Sequence, residues 1–325
     1  MIRRFSVRIA LLTAALLLTG LALSRYDTRA VDNNYLAAVL EKDRIIRNTP
    51  SPKIILVGGS NLAFGVDSRQ LQDSLGLHVV NMGLYAKLGL RYMLAQVKPY
   101  IHRGDVVLVV PEYDQFYGNF ADGDQTLNTA LLYAPSDRIG DFVKSYSVID
   151  VILRPRAENA RRSFLQALAS VFGQRDKYFP PDTNPVYNRR SFNQYGDMVS
   201  HLGRQGPNPD SIYVKPLPPM RTFNKRTLDD LNSVADIAHG RGARAYFLFP
   251  SYIDRSYRIN GAAIDSLRRR LASGMRIPIV GSPADLVYPS RLFFDTRYHL
   301  NQEGRAIRTS AMIRTLREVR ARDGW

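Results

Sequence analysis

The feature that most constrains the fold is a repeated alternation of short apolar runs with helical tracts. Strands are predicted at 53–59, 78–83, 105–114, 243–252 and 276–282. Helical patterns cover 67–75, 87–101, 223–240, 260–273 and 301–319. Because strands that alternate with helices form parallel sheets covered on both faces, the sequence predicts an α/β fold around a five-stranded parallel sheet.

One long segment interrupts this alternation. Residues 115–222 are too long for a simple crossover between strands, and they pass from a helical pattern to a stretch rich in proline, asparagine and tyrosine. A long insertion near the carboxyl ends of strands is where a substrate-binding cap would lie. A structural excursion or an oligomer contact would explain it equally well. We therefore predict a domain over 53–325 that contains the insertion, preceded by a helical linker over 26–52.

The N-terminus, residues 1–25, has the pattern of an export segment. Arg3, Arg4 and Arg8 precede an uncharged run from Ile9 to Ser24. This run is slightly shorter than the roughly 17 to 25 residues of a spanning helix, and it fits either an anchor or a cleaved signal; its terminal leucines favour the anchor. Arginines at this end send the following chain across the membrane. We expect a membrane-anchored protein of the periplasm or cell surface, secreted if the segment is cleaved.

The charge balance favours anionic partners. The formal net charge is +16, and the four arginines among the first 25 residues leave +12 on the exported part. Such a surface attracts lipid head groups, acidic glycans or nucleic acid, and export argues against nucleic acid. The chain has no cysteine, so it has neither disulfides nor thiolate metal sites.

The stretch ILVGGSNLAFG, residues 55–65, places Ser60 directly after the first strand. Ligands of parallel sheets bind beyond the carboxyl ends of strands, so the hydroxyl would be presented there. Phosphate-binding loops end in Gly-Lys-Ser/Thr and dinucleotide sites carry GxGxxG; this stretch has neither. A serine nucleophile would need a base, a group that orients the base, and donors for an oxyanion.

His299 is the strongest base candidate. Asp295 lies four residues before it, and a carboxylate beside an imidazole can hold its tautomer and stabilise the imidazolium. The other histidines have no such neighbour and are interpreted as structural or surface residues: His78, His102, His201 and His239.

Three motifs in this order resemble the SGNH/GDSL hydrolase-like superfamily: GGSN after the first strand, NMG after the second, and D…HLNQEG near the C-terminus. The resemblance covers most of residues 53–319 except the insertion. It implies a flavodoxin-like three-layer α/β/α sandwich with no metal and no organic cofactor. It also implies that Ser60 is the nucleophile and that Asp295 and His299 complete a triad. The N–H groups of Ser60 and Gly83 would bind the oxyanion.

Two features depart from that family's pattern. Its third block usually carries an asparagine as oxyanion donor, in GxND, whereas this chain has PEYD at 111–114. Tyr113 or a backbone N–H would have to replace the amide, and Asn61 could also reach the oxyanion, although capping the next helix is its commoner use. Loss of one donor typically costs about two to three decades in rate, so a slow or inactive site is compatible with the sequence. Three residues, instead of two, separate Asp295 from His299, which weakens the role of Asp295.

A glycosidase acid pair is the competing interpretation of PEYD. Glu112 and Asp114 are two carboxylates of the kind that glycoside hydrolysis uses at a fixed separation, but no other glycosidase feature accompanies them.

The resemblance, together with the predicted export segment, implies an extracytoplasmic serine esterase or O-acyltransferase that acts on acyl esters of a cell-envelope or exported polysaccharide. The two activities share their first half-reaction and are not separated by sequence. Arginine, tyrosine and asparagine in the insertion suit a glycan partner. The alternative is a non-catalytic envelope protein of the same fold that binds glycan or a partner membrane acyltransferase.

Overall fold

The computed structural model describes residues 33–174 and 183–325, with Lys177 and residues 4–9, 11, 12, 14, 15 and 18. Its centre is a four-stranded parallel sheet in the order β2-β1-β3-β4. The strands are β1 Lys53–Gly58, β2 His78–Asn81, β3 Val106–Val110 and β4 Arg244–Phe247. The predicted α/β class with a parallel sheet is confirmed.

Helices cover both faces of this sheet. Before and between the first three strands lie α1 Val39–Asn48, α2 Ser60–Gly65, α3 Ser68–Leu75 and α4 Leu90–Val97. The long segment after β3 contains α5 Gln125–Tyr133, α6 Ile139–Phe142 and α7 Arg154–Val171. The chain continues through α8 Arg226–Gly240, α9 Asp254–Gly274 and α10 Gln302–Asp323.

The core follows from the alternation of side chains along the two central strands. Ile55 and Val57 of β1 join one apolar cluster, whereas Ile54 and Leu56 join the cluster on the opposite face. Every residue of β1 and β3 is buried, as expected for parallel strands with helices on both faces. The sheet therefore forms the middle layer of an α/β sandwich.

The sheet has four strands where five were predicted. Residues 276–282 contribute only one parallel bridge, between Ile279 and Phe247 of β4. The Phe247 N–H donates to Pro278 O at 2.9 Å, and the Val280 N–H donates to Phe247 O at 2.8 Å. Proline has no N–H, so Pro278 cannot supply the next hydrogen bond of a longer ladder. A separate two-stranded parallel sheet pairs β5 Tyr252–Ile253 with β6 Val287–Tyr288.

The predicted export segment lies largely outside the described residues. In the part of the chain that the structure describes, no helix has both the length and the apolar content needed to cross a bilayer.

Helix α9 offers a matched test of this packing, because it carries one isoleucine in the core and one on the surface. Ile264 is 0% exposed and Ile259 is 54% exposed. We expect Ile264→Ala to lower the free energy of unfolding by about 2–5 kcal/mol, since it leaves a cavity in the core. Ile259→Ala should change it by no more than about 0.5 kcal/mol. Urea unfolding measures both, and equal losses would contradict the described orientation of α9.

Candidate functional site

The candidate site lies at the carboxyl ends of β1 and β3. The chain runs from β1 to β2 on one side, and then returns to β3 on the other. Ligands of open parallel sheets bind where the strand order reverses in this way. Ser60 begins α2 just after β1, and Glu112 follows β3.

Ser60 and Glu112 are in direct contact. The Ser60 Oγ–H donates to Glu112 Oε1 at 3.0 Å, and the Asn61 N–H donates to the same oxygen at 3.1 Å. A Cβ at Gly59 would lie 2.7 Å from this oxygen and 3.2 Å from Ala86 Cα. Glycine at position 59 is therefore what allows the carboxyl to approach the first turn of α2.

The segment that carries Glu112 is fixed by Gln115. The Glu112 N–H donates to Gln115 Oε1 at 2.9 Å, and Gln115 Nε2 donates to Ala86 O at 3.1 Å. Burial raises the pKa of the Glu112 carboxyl, although His299 and the Asn61 N–H act in the opposite direction.

His299 and Asp295 form a second group in the crevice. His299 Nδ1 lies 2.8 Å from Asp295 Oδ1. The hydroxyl of Tyr187, from the insertion, donates to the other oxygen of Asp295 and lies 3.1 Å from His299 Nδ1. Burial raises the pKa of Asp295, but the hydrogen bonds and charge of His299 and the Tyr187 hydroxyl outweigh it and lower the pKa overall. With Nδ1 turned to this carboxylate, Nε2 is the ring nitrogen left to take a proton.

Phe64 links the two groups. It lies in α2, as Ser60 does, and its ring stacks on the imidazole of His299 with centroids 4.0 Å apart and planes at 4°. His201 contacts the same ring, with centroids 4.6 Å apart. Between the described residues there is no hydrogen bond from Ser60 to His299; the hydroxyl is turned to Glu112 instead. Rotation of the Ser60 side chain would be needed to bring the two together.

Two of the predicted oxyanion donors, Gly83 and Tyr113, already donate their backbone N–H groups to other acceptors. The Gly83 N–H donates to Asn81 Oδ1 at 3.0 Å, and the Tyr113 N–H donates to Tyr298 Oη at 3.1 Å. The Tyr113 ring is buried against Tyr252. Either oxyanion role would require a change in these contacts. The Ser60 N–H, by contrast, has no hydrogen-bond acceptor among the described residues.

Asn61 contributes through its backbone. Its N–H lies beside Ser60 in the contact with Glu112, while its side-chain amide donates to Val110 O at 3.0 Å. The amide thus ties α2 to the end of β3 and is turned away from the crevice.

Asp114 is occupied elsewhere. Arg297 Nη2 donates to both of its oxygens, at 2.8 and 2.6 Å, and the Tyr298 hydroxyl donates to one of them at 3.0 Å. This buried ion pair accounts for Asp114 without a glycosidase role.

Two residues of the crevice were missed as parts of a serine site. Glu112 was noticed in the sequence only as half of an acid pair, although its position at the end of the third strand could have suggested contact with Ser60. Tyr187 lies in the insertion, 108 residues before Asp295, and no sequence pattern marks it.

The burial of His201 leads us to expect that the free energy of unfolding depends on pH. Burial lowers its pKa from 6.5 to about 4, with Arg305 and His299 adding to the effect, and neither ring nitrogen has a hydrogen-bond partner among the described residues. The unfolded chain takes up the proton first, so the stabilisation is complete above pH 6.5 and is lost as the pH falls towards 4. The loss should reach about 3 kcal/mol.

Urea unfolding between pH 7 and pH 4 tests this expectation. His201→Phe should remove the pH-dependent loss, because the variant has no proton to take up, while His239→Phe on the exposed surface of α8 should retain it. The same loss in both variants would show that His201 is not its source.

The comparisons with known proteins add no relative to this description. No family model matches the chain, and no match was found among the curated proteins. The chemistry of the crevice is therefore inferred from the contacts of its own residues.

Proposed function

We propose that this chain is a serine esterase or O-acyltransferase of the SGNH type, held at a membrane and active outside the cytoplasm. The observation that carries the proposal is the arrangement around α2. This helix carries Ser60 at the β1/β3 switch point, and its Phe64 ring stacks on His299, which is bound to Asp295. A candidate nucleophile, base and orienting carboxylate thus lie near one another, and covalent catalysis requires in addition that the Ser60 hydroxyl turn to His299.

The flavodoxin-like form of the fold is part of the same proposal. The order β2-β1-β3-β4 agrees with the first four positions of the doubly wound order 2-1-3-4-5. The bridge at Ile279 lies beside β4, where the fifth strand of that order would be.

The reaction would begin when an acyl ester enters the crevice and Ser60 turns from Glu112 to His299. Ser60 Oγ then bonds to the acyl carbon while its proton passes to His299 Nε2, and Asp295 stabilises the imidazolium. The carbonyl electron pair moves onto oxygen, near the Ser60 N–H. The intermediate collapses with release of the alcohol, which takes the proton from His299. Water or a sugar hydroxyl then accepts the acyl group.

A polysaccharide ester is the substrate that the surroundings favour. Tyr187 contacts the Asp295–His299 pair, and its ring lies 5.7 Å from that of Tyr35, which is 6.2 Å from Tyr85. All three rings are only half-buried. Aromatic rings of this kind can pack against the apolar faces of sugars. Of the three, Tyr187 belongs to the insertion, for which a glycan partner was predicted. The export segment and the basic charge would place this crevice beside acidic envelope glycans.

A non-catalytic glycan-binding protein is the second candidate. The observation in its favour is that the Ser60 hydroxyl is bound to Glu112 and the Gly83 N–H is bound to Asn81. In that case the same aromatic side chains would bind glycan or a partner acyltransferase without turnover.

Labelling with a serine-directed fluorophosphonate, together with hydrolysis of para-nitrophenyl acetate, separates the two candidates. In the purified full chain, Ser60→Ala should abolish labelling because it removes the nucleophile. His299→Ala should lower the rate of hydrolysis at least about a hundredfold, since general-base catalysis contributes roughly 10²–10⁴. Matched controls are Ser273→Ala and His239→Ala, both on exposed helical surfaces, and both should behave as wild type.

The folded state of each variant is checked by circular dichroism. A folded wild type that is neither labelled nor active would reject the esterase and favour the binding protein.

A further inference from the structure

We propose that Glu112 is an oxyanion donor of this site and acts as a neutral carboxylic acid. The inference rests on the proposed function and deepens it. It assigns a catalytic part to the carboxyl group that contacts the Ser60 hydroxyl.

The geometry places the carboxyl beside the atom that would attack a carbonyl. Glu112 Oε1 is bound by the Ser60 hydroxyl and by the Asn61 N–H. An acyl group under attack by Ser60 has to bring its carbonyl carbon to the Ser60 oxygen, which here contacts this carboxyl. Glu112 would then be an immediate neighbour of the oxyanion. A carboxylate there would repel the developing charge, whereas a carboxylic acid can donate a hydrogen bond to it.

The close approach is built into the fold. Glycine at position 59 leaves room for the carboxyl, and Gln115 fixes the Glu112 backbone. Glu112 itself is 6% exposed. Two donors already converge on Oε1, so Oε2 is the oxygen that would carry the proton and present it to a substrate.

The charges around Glu112 act in both directions. Burial raises its pKa and Asp114, on the same segment, adds to this; His299, the Asn61 N–H and the Ser60 hydroxyl lower it. Buried Arg308 of α10 also faces it, and the Glu112 charge raises the pKa of Tyr35 and Tyr298. An oxyanion in the crevice would favour the neutral form further, because two negative charges in one site repel each other.

The proton of Glu112 is not transferred in this scheme. When the Ser60 Oγ–C bond forms, the serine proton goes to His299 and the carbonyl electron pair goes to the oxygen that Glu112 holds. When the C–O bond to the alcohol breaks, the electron pair returns to the carbonyl, and His299 protonates the alcohol. Glu112 leaves the cycle as it entered.

Two substitutions at position 112 test the donor. Glu112→Ala should lower kcat for para-nitrophenyl acetate about 10²–10³-fold, the usual loss for one oxyanion donor. Glu112→Gln keeps a donor of the same shape and should remain within about tenfold of wild type. Wild-type activity should fall as the pH rises through the pKa of Glu112, and Glu112→Gln should lack this fall because its amide does not ionise.

The protonation of Glu112 can be measured without turnover. At neutral pH, the infrared spectrum of the full chain should contain a carboxylic-acid C=O band that Glu112→Gln removes. Glu303→Gln, a change at an exposed glutamate, should leave it. Absence of the band would overturn the inference whether or not the enzyme is active. A Glu112→Gln variant as slow as Glu112→Ala would also overturn it, because the carboxylate would then act as a base. The inference would likewise fall if both Glu112→Ala and Glu112→Gln were as fast as wild type.

Failure of the proposed function has a different signature. In that case the wild type would be neither labelled nor active, even if the infrared band were present. Glu112 would then have no oxyanion to bind, and the inference would be rejected together with the proposed function.

An independent observation concerns α7, which leaves a large apolar stripe exposed. Leu153, just before the helix, and Phe164, Leu168 and Val171 within it are 44% to 80% exposed. Their spacings of eleven, four and three residues place them on one side of a helix. Val151 and Pro155 are buried on the other side. Exposed apolar side chains that are contiguous along one side of a helix indicate an interaction site.

We infer that this stripe lies against a bilayer containing anionic lipids. Four arginines but only two carboxylates occur between residues 150 and 171. An apolar face flanked by arginines is the pattern of a helix that lies in the membrane interface. A second copy of the chain would bring the arginines of one helix against those of the other. The lipid surface has the complementary charge.

The absence of cysteine allows a direct test. In the full chain, Leu168→Cys can carry a single fluorescent label, with Ile259→Cys as an exposed control on α9. After reconstitution into vesicles of phosphatidylglycerol and phosphatidylcholine, lipid-borne quenchers should reduce the fluorescence at 168 several-fold more than at 259. Vesicles of phosphatidylcholine alone should reduce this difference.

Equal quenching at both positions would overturn the inference about α7. Fluorescence at 168 that instead changes with protein concentration in detergent would assign the stripe to a second copy.

Discussion

The position of β1 between β2 and β3 is the constraint on which the rest of the structure depends. All of its residues are buried, and its two neighbours are reached by connections on opposite sides. The reversal opens a crevice at the carboxyl end of β1, where α2 begins. Ser60 therefore lies at this switch point because of the strand order, and Glu112 contacts it because β3 is the adjacent strand.

Buried polar contacts tie the insertion to this framework. Asp197, from the insertion, accepts hydrogen bonds from Ser68 at the start of α3, from Asn81 at the end of β2 and from Arg305 in α10. These elements meet at one buried carboxylate, so hydrogen bonds join the insertion to β2, α3 and α10.

Lys42 shows how strongly this junction is buried. Its Nζ donates to the carbonyl groups of Asn81 and Gly196. Burial lowers its pKa to about 7, against the influence of the Asp197 charge. The linker helix α1 is thus joined by hydrogen bonds to both β2 and the insertion.

The sequence made the sheet predictable because buried parallel strands are continuous apolar runs separated by helical tracts. The failure at the fifth strand has a local cause in Pro278, whose missing N–H stops the ladder after one bridge. Ser60, Asp295 and His299 could be selected because each occurs in a short motif next to a predicted element. Glu112 could have been suspected from its position at the end of the third strand, but Tyr187 could not, because its contact with Asp295 spans 108 residues of chain. Such contacts are set by the packing of the whole domain.

The shortness of α2 has a consequence for the alignment of the crevice. Ser60 and Phe64 are four residues apart in a helix of six residues, so they lie on one side of a single rigid turn. The Phe64 ring that stacks on His299 and the Ser60 hydroxyl therefore move as one body. A small shift of α2 against the sheet would move the Phe64 ring and Ser60 together. The distance between these two side chains would therefore change less than the distance of either from β3.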